Sequence, residues 1–311
     1  MVYRLKGDKM TQNRPDLPAP LMRAVRQRCG FGCVICGMPI VEYDHLLGWA
    51  KVRRHVAAEI ALLCDNHHRA KTSGFLPNAR VVAANANPLN LQTGVTKPYG
   101  LEYSGNEFKM SIGSCSFDGS GNVSDVTAEA IRIDRQPLLW VRYEDNHILL
   151  NLHVYNSRGE LILQIADNEL VLNVHSWDIE IVGTRLVIRE ASRNVLFDVL
   201  FSPPAGVHVR RGRFLYNGVE VLVNSRWVAI LNNRKLFADI RIGNVRAGVV
   251  TAGFNIIGPE GDPAMSGVAV LDVPRDGWDR EAAIRWVKKE AGKTAAQIEA
   301  IHGLLDAKSL D

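Results

Sequence analysis

"CDNHHRAK" runs from Cys64 to Lys71. It follows closely on "CVIC", Cys33 to Cys36, with "YDH", Tyr43 to His45, between them. The chain has five cysteines in 311 residues; three fall in these two short stretches, and the adjacent pair His67 and His68 follows the third. Two side chains separated by two residues converge on one ion when the backbone turns tightly. Cys33-x₂-Cys36 and Cys64-x₂-His67 therefore make two half-sites, and together they complete the tetrahedron that structural zinc requires. Gly32 and Gly37 flank the first half-site and permit its turn. Cys29 is a competing ligand, but it falls at the end of an expected helix and is read as spare.

His67 is thereby assigned to zinc, and its neighbour His68 must project elsewhere. His45, preceded by Asp44, is its natural companion. Phosphodiester hydrolysis needs a base for water, a divalent cation on the phosphate and help for the leaving oxygen. An imidazole titrates near neutral pH and suits the base. His45 is the expected base, with Asp44 and His68 the expected holders of Mg²⁺ or a similar cation.

These motifs together, "CVIC…YDH…LLCDNHHRAK", resemble the HNH (His-Me finger) endonucleases, whose fold is a ββα-metal unit on a zinc-knuckle frame. The resemblance covers about residues 21–80. It implies metal-dependent cleavage of DNA, with His45 matching the family's first histidine, His68 its last, and Lys71 the basic residue that often follows. Where the family usually has Asn, five residues before the knuckle cysteine, this chain has Glu59. A glutamate there either ligates the cation, orients His45, or marks altered or lost activity. Cys64-x₂-His67 also replaces the usual second Cys pair.

Charge is uneven along the chain. Residues 1–100 carry 14 Lys/Arg against 6 Asp/Glu, and residues 101–311 carry 23 against 27. The basic part is the one with the Cys/His cluster, which suits a polyanionic partner such as DNA. Lys71, Arg53, Arg54 and Arg69 are the candidate nucleic-acid contacts, and His55 in "KVRRH" is either a phosphate ligand or part of a solvated basic turn. A hydrophobic fraction of 47% with 23% charged residues is ordinary for a soluble protein. No apolar run of about 18 residues is present, so no membrane span is expected, and the polar start points to the cytoplasm.

The expected fold class is α+β. Residues 1–20 read as a flexible leader, 21–80 as the nuclease module, 81–130 as linker and irregular strands, 131–274 as an all-β domain and 275–311 as a helical tail. "AEIALLCDNHHRAKTSG" reads as a helix or half-helix. "DNHILLNLHVY" at 145 recurs as "DNELVLNVHSW" at 167. That echo points either to stacked, solenoid-like β-repeats or to a plain sandwich. The β domain is a candidate for self-assembly or regulation, and by analogy with the family a bacterial defence role would fit such an architecture. Two rivals stand beside the nuclease: a non-catalytic zinc protein that only binds nucleic acid, and a structural assembly protein built on the β-repeats.

Overall fold

The computed structural model describes residues 15–231, apart from 106, 114, 121–125, 146, 157–158, 217–218 and 226, together with strands at 245–247, 252–257 and 267–272. The expected helical tail lies outside the described residues, as does the leader up to residue 14. The chain is β-rich and divides into two compact units, residues 1–93 and 94–311.

The first unit is a small ββα core. Helix α1 (Ala19–Arg28) begins with Pro20 in its first turn, where a missing N–H costs nothing, and ends with Arg26 and Arg28 beside its negative pole. Strand β1 (Glu42–His45) pairs antiparallel with β2 (Ile60–Leu63), matching Asp44 to Ala61 and His45 to Ile60. The intervening loop contains the short helix α2 (Trp49–Val52) and a 3₁₀ turn at Ala57–Glu59. Helix α3 (Asp65–Thr72) follows β2 directly and lies against both strands.

The expected helix through Ile60–Leu63 is corrected by this hairpin. All four residues are buried, so the run shows neither the period of a helix nor that of a half-exposed strand. The Val34 N–H donates to Leu62 O at 3.0 Å, so the knuckle loop covers the outer edge of β2.

Residues 81–93, expected as linker, instead complete this unit as most of α4 (Asn78–Ala86) and all of α5 (Leu89–Thr93). Val81 is fully buried and joins Val25, Val34, Ile60, Leu62 and Leu63 in the core. The Arg28 guanidinium holds the corner together. It donates to the Asn85 side chain at 2.8 Å, to Ala57 O at 3.1 Å and to Ile60 O.

The second unit holds two large sheets. In one, the strands Val126–Ile133, Gln136–Glu144, His147–Tyr155, Leu161–Ala166 and Glu169–Leu172 are antiparallel neighbours in chain order, extended by Tyr99–Gly100 on one side and by Ala252–Ile257 and Gly267–Asp272 on the other. The other contains Asp178–Val182, Arg185–Ala191, Asn194–Ser202 and Gly206–Tyr216, with Glu107–Ile112, Cys115–Ser120 and Val245–Ala247 beyond, and Val219–Asn224 and Trp227–Leu231 branching from Gly206–Tyr216. The sheets approach where the Tyr155 and Tyr216 rings stand 6.0 Å apart.

The sequence echo has a local cause. Asp134 with Arg135 and Asp167 with Asn168 adopt positive φ in two-residue turns, and Asp145 does so at the equivalent place between Glu144 and His147. Type I′ hairpins demand that geometry, and Asp and Asn tolerate it best after Gly. "DN" therefore recurs because the turn recurs. The two echoing strands are not stacked neighbours: Leu161–Ala166 lies between them and pairs with both. Of the two expected arrangements, the stacking of these strands as solenoid rungs is corrected: they belong to a meander with matched turns. Asn146, the counterpart of Asn168, lies outside the described residues.

Candidate metal centre and its flanking carboxylates

The ligand atoms of Cys33, Cys36, Cys64 and His67 all lie within 4.8 Å of one another. The Cys36 and Cys64 sulfurs are 3.7 Å apart, and His67 Nδ1 is 3.4 Å from Cys33 Sγ and 3.3 Å from Cys64 Sγ. Tetrahedral bonds of about 2.3 Å to sulfur and 2.0–2.1 Å to nitrogen give edges of about 3.8 and 3.6 Å. These three separations lie near those edges, and the group could bind a metal ion such as zinc. Burial pushes the Cys36 thiol up to about 12, so a cation must displace its proton. Burial also pulls the His67 pKa down, which keeps its imidazole neutral and able to ligate.

The first half-site is shaped by glycine and by a residue from far along the chain. Gly37 takes φ 76°, and its N–H donates to Cys33 O at 2.8 Å. A Cβ on Gly32 would meet the Asn90 amide nitrogen at 2.4 Å and Gly37 O at 2.8 Å, so only glycine fits. Asn90, buried in α5, donates to Gly30 O and Gly37 O. Cys29 stays outside the group; it is buried, with its sulfur 3.8 Å from Asn85 Oδ1.

Beside this centre, one ring brings two carboxylates together. Alternation along β1 puts Glu42 and Asp44 on one face. His68, one residue beyond the ligand His67 on α3, places Nδ1 2.9 Å from Glu42 Oε2 and Nε2 3.5 Å from Asp44 Oδ1. Lys71, one turn further on, donates to Asp44 Oδ2 and, at 2.8 Å, to His45 O. Asp44 thus has one oxygen on an ammonium and the other toward His68. Glu42 was missed in the sequence; its spacing of two from Asp44 was the available signal.

The other expected site residues are distributed differently. His45 is only 3% exposed; its Nε2 lies 3.2 Å from His55 Nδ1, and Trp49 packs edge-on against it. His55 is therefore engaged by His45. Both Glu59 oxygens receive hydrogen bonds from Arg54, and these are the first cause holding the Glu59 carboxyl below the usual carboxylate range. Arg53 and Arg69 are exposed. Lys71 is not a surface cation: its side chain is 12% exposed and ion-paired.

Comparison with family models, curated proteins and solved structures finds no match to this chain. Among the described residues, no helix is long and apolar enough to cross a membrane.

Proposed function

We propose that the first unit is a metal-dependent endonuclease of the HNH type, hydrolysing DNA phosphodiester bonds on a zinc-stabilised ββα frame. The observation that carries this reading is the facing of Asp44 and His68. Two ligands bound at about 2.0–2.2 Å to one ion stand about 3.0–3.5 Å apart, for angles between 90° and the tetrahedral value. Their 3.5 Å separation fits that range. Glu42 supports it from behind: with Nδ1–H donating to this carboxylate, His68 presents the Nε2 lone pair toward Asp44.

A cation such as Mg²⁺ held there would polarise the scissile phosphate and stabilise the leaving oxygen. The protein's own residues supply the rest. Asp44 and His68 would hold the cation, and Lys71 fixes the Asp44 carboxylate. His45 removes a proton from water as its oxygen bonds phosphorus, the P–O ester bond breaks, and the leaving oxygen is protonated from solvent. Arg53 and Arg69 offer exposed charge for the DNA backbone, and the β-rich unit serves assembly or regulation.

The non-catalytic reading has one observation in its favour: Lys71 already neutralises Asp44, so the site carries a built-in cation. Incubating supercoiled plasmid with the zinc-loaded chain, with and without Mg²⁺ or Mn²⁺, separates the two. Metal-dependent nicking supports the nuclease; salt-sensitive binding without cleavage supports the binding protein.

A further inference from the structure

Apart from the Cys/His group and the Asp44–His68 pair, the first unit carries an open groove of about 340 Å³ between the Cys33–Cys36 loop and α4. That volume is at the lower end of the ~300–1,000 Å³ common for ligand sites. Helical spacing explains one wall. Val81 and Asn85 turn one side of α4 into the core, while Arg80, Ala83 and Ala84 line the groove at i, i+3 and i+4. Val34 and Ile35, between the two knuckle cysteines, line it from the other side together with Leu89. The Leu89 N–H donates to Val34 O at 3.2 Å, which ties α5 to that loop. The space exists because positions 83 and 84 are alanine. A longer side chain at the exposed Ala83 would fill it without disturbing the core.

A mostly apolar groove with one cation on its wall selects by shape and by charge. Arg80 is the only charged residue that lines it. Its side chain is exposed, and among the described residues its guanidinium has no hydrogen-bond or ion-pair partner. Residues 1–100 carry 14 Lys/Arg against 6 Asp/Glu, so the surrounding field adds to that charge. A nucleic-acid backbone would meet the charge but leave the apolar walls wet. An amphipathic helix uses both, with apolar anchors in the groove and a carboxylate on the cation. We infer that the groove docks a short amphipathic segment of an acidic protein partner. A large apolar side chain of that segment sits against Val34, Ile35, Ala83 and Ala84, and a carboxylate one helical turn away pairs with Arg80. The groove shares no residue with Asp44 and His68, so the inference stands independently of the nuclease reading.

The test is selection of a phage-displayed random dodecapeptide library on the full, zinc-loaded chain, followed by affinity measurements with the synthetic peptides recovered. Enriched peptides should place Asp or Glu three or four positions from Leu, Ile, Phe or Met. Replacing the apolar anchor by Ala should weaken binding by roughly 10–100-fold, the worth of burying one such side chain. Arg80→Glu and Ala83→Glu should each weaken it by at least about 10-fold, because a like charge then faces the peptide carboxylate. Both positions are exposed on α4 and glutamate is a good helix former, so zinc content and thermal melting should match wild type. A peptide with Lys in place of its carboxylate should bind Arg80→Glu in preference to wild type. Recovery of no peptide, or of peptides without the acidic–apolar pairing, overturns the inference. So does equal affinity for wild type and both variants. Should a variant lose zinc, the peptide itself decides: Gln in place of its carboxylate, with unchanged affinity for the wild-type chain, also overturns it. If duplex DNA alone loses affinity in Arg80→Glu, Arg80 is a phosphate contact and the docking inference is wrong.

Discussion

Asp44 and His68 face each other across 3.5 Å, Oδ1 to Nε2, although 24 positions separate them in the chain. β1 supplies one and α3 the other, and the Cys/His group fixes α3 because its ligands Cys64 and His67 lie at that helix's start. The expected structural metal and the proposed catalytic cation are thus joined by the single peptide bond between His67 and His68.

Removing the metal should therefore cost the fold of the first unit before it costs any chemistry. Purified protein should contain about one tightly held zinc per chain. Cys33→Ser should lose that zinc and the cooperative unfolding of residues 15–93, read by metal analysis and thermal melting. Acidification should release the ion, because the three sulfurs and the His67 nitrogen bind only when deprotonated. A metal-free chain that melts like the wild type would contradict the assignment.

Glu42 provides a test of how His68 is oriented. Glu42→Gln should weaken the second, catalytic cation by about 10–100-fold while leaving zinc in place. Mn²⁺ titration followed by calorimetry or by nicking rate would measure this. Equal cation affinity in both proteins would show that the 2.9 Å contact does no orienting.

Glu59 should behave unlike Asp44 and His68. Its oxygens are engaged by Arg54, so Glu59→Gln should leave cation affinity unchanged, whereas His68→Ala should lower it enough for added Mn²⁺ to restore part of the rate. If Glu59→Gln is rescued by metal just as His68→Ala is, the carboxylate is a ligand after all.

In the β-rich unit, Arg213 and Glu220 form a buried pair 2.5 Å apart, with Glu190 at 3.2 Å from the same guanidinium. Arg213→Met should destabilise this unit by about 3–5 kcal/mol, because it strands a buried carboxylate. The double change Arg213→Met with Glu220→Leu should recover much of the loss. Denaturant unfolding of the three proteins would decide it, and an additive double variant would show that the pair is not coupled.

Much of the first unit was legible because metal ligation restricts sequence so strongly: two half-sites and two flanking glycines suffice to bring Cys33, Cys36, Cys64 and His67 together. What was hidden depended on partners distant in sequence. Ile60–Leu63 is buried all round, and periodicity cannot tell such a run from a helix. The asparagine-rich stretch after residue 77 resembled linker because its burial hinges on a few residues, Val81, Asn85 and Asn90. His55 looked like part of a basic turn until its ring met His45. The repeat was real as turn chemistry and misleading as architecture, since two-residue hairpins reuse the same residues wherever they occur.

If a cation held between Asp44 and His68 works with His45 as the base, its most direct measure is the rate of nicking of supercoiled plasmid by the zinc-loaded chain as Mn²⁺ or Mg²⁺ is varied. Cleavage should require the cation. It should fall on the order of 10²–10⁴-fold in His45→Ala at every metal concentration, with zinc content and DNA binding retained. Wild-type protein that binds the cation yet cuts neither duplex nor single-stranded DNA, or His45→Ala protein that cuts as fast as wild type, would contradict it.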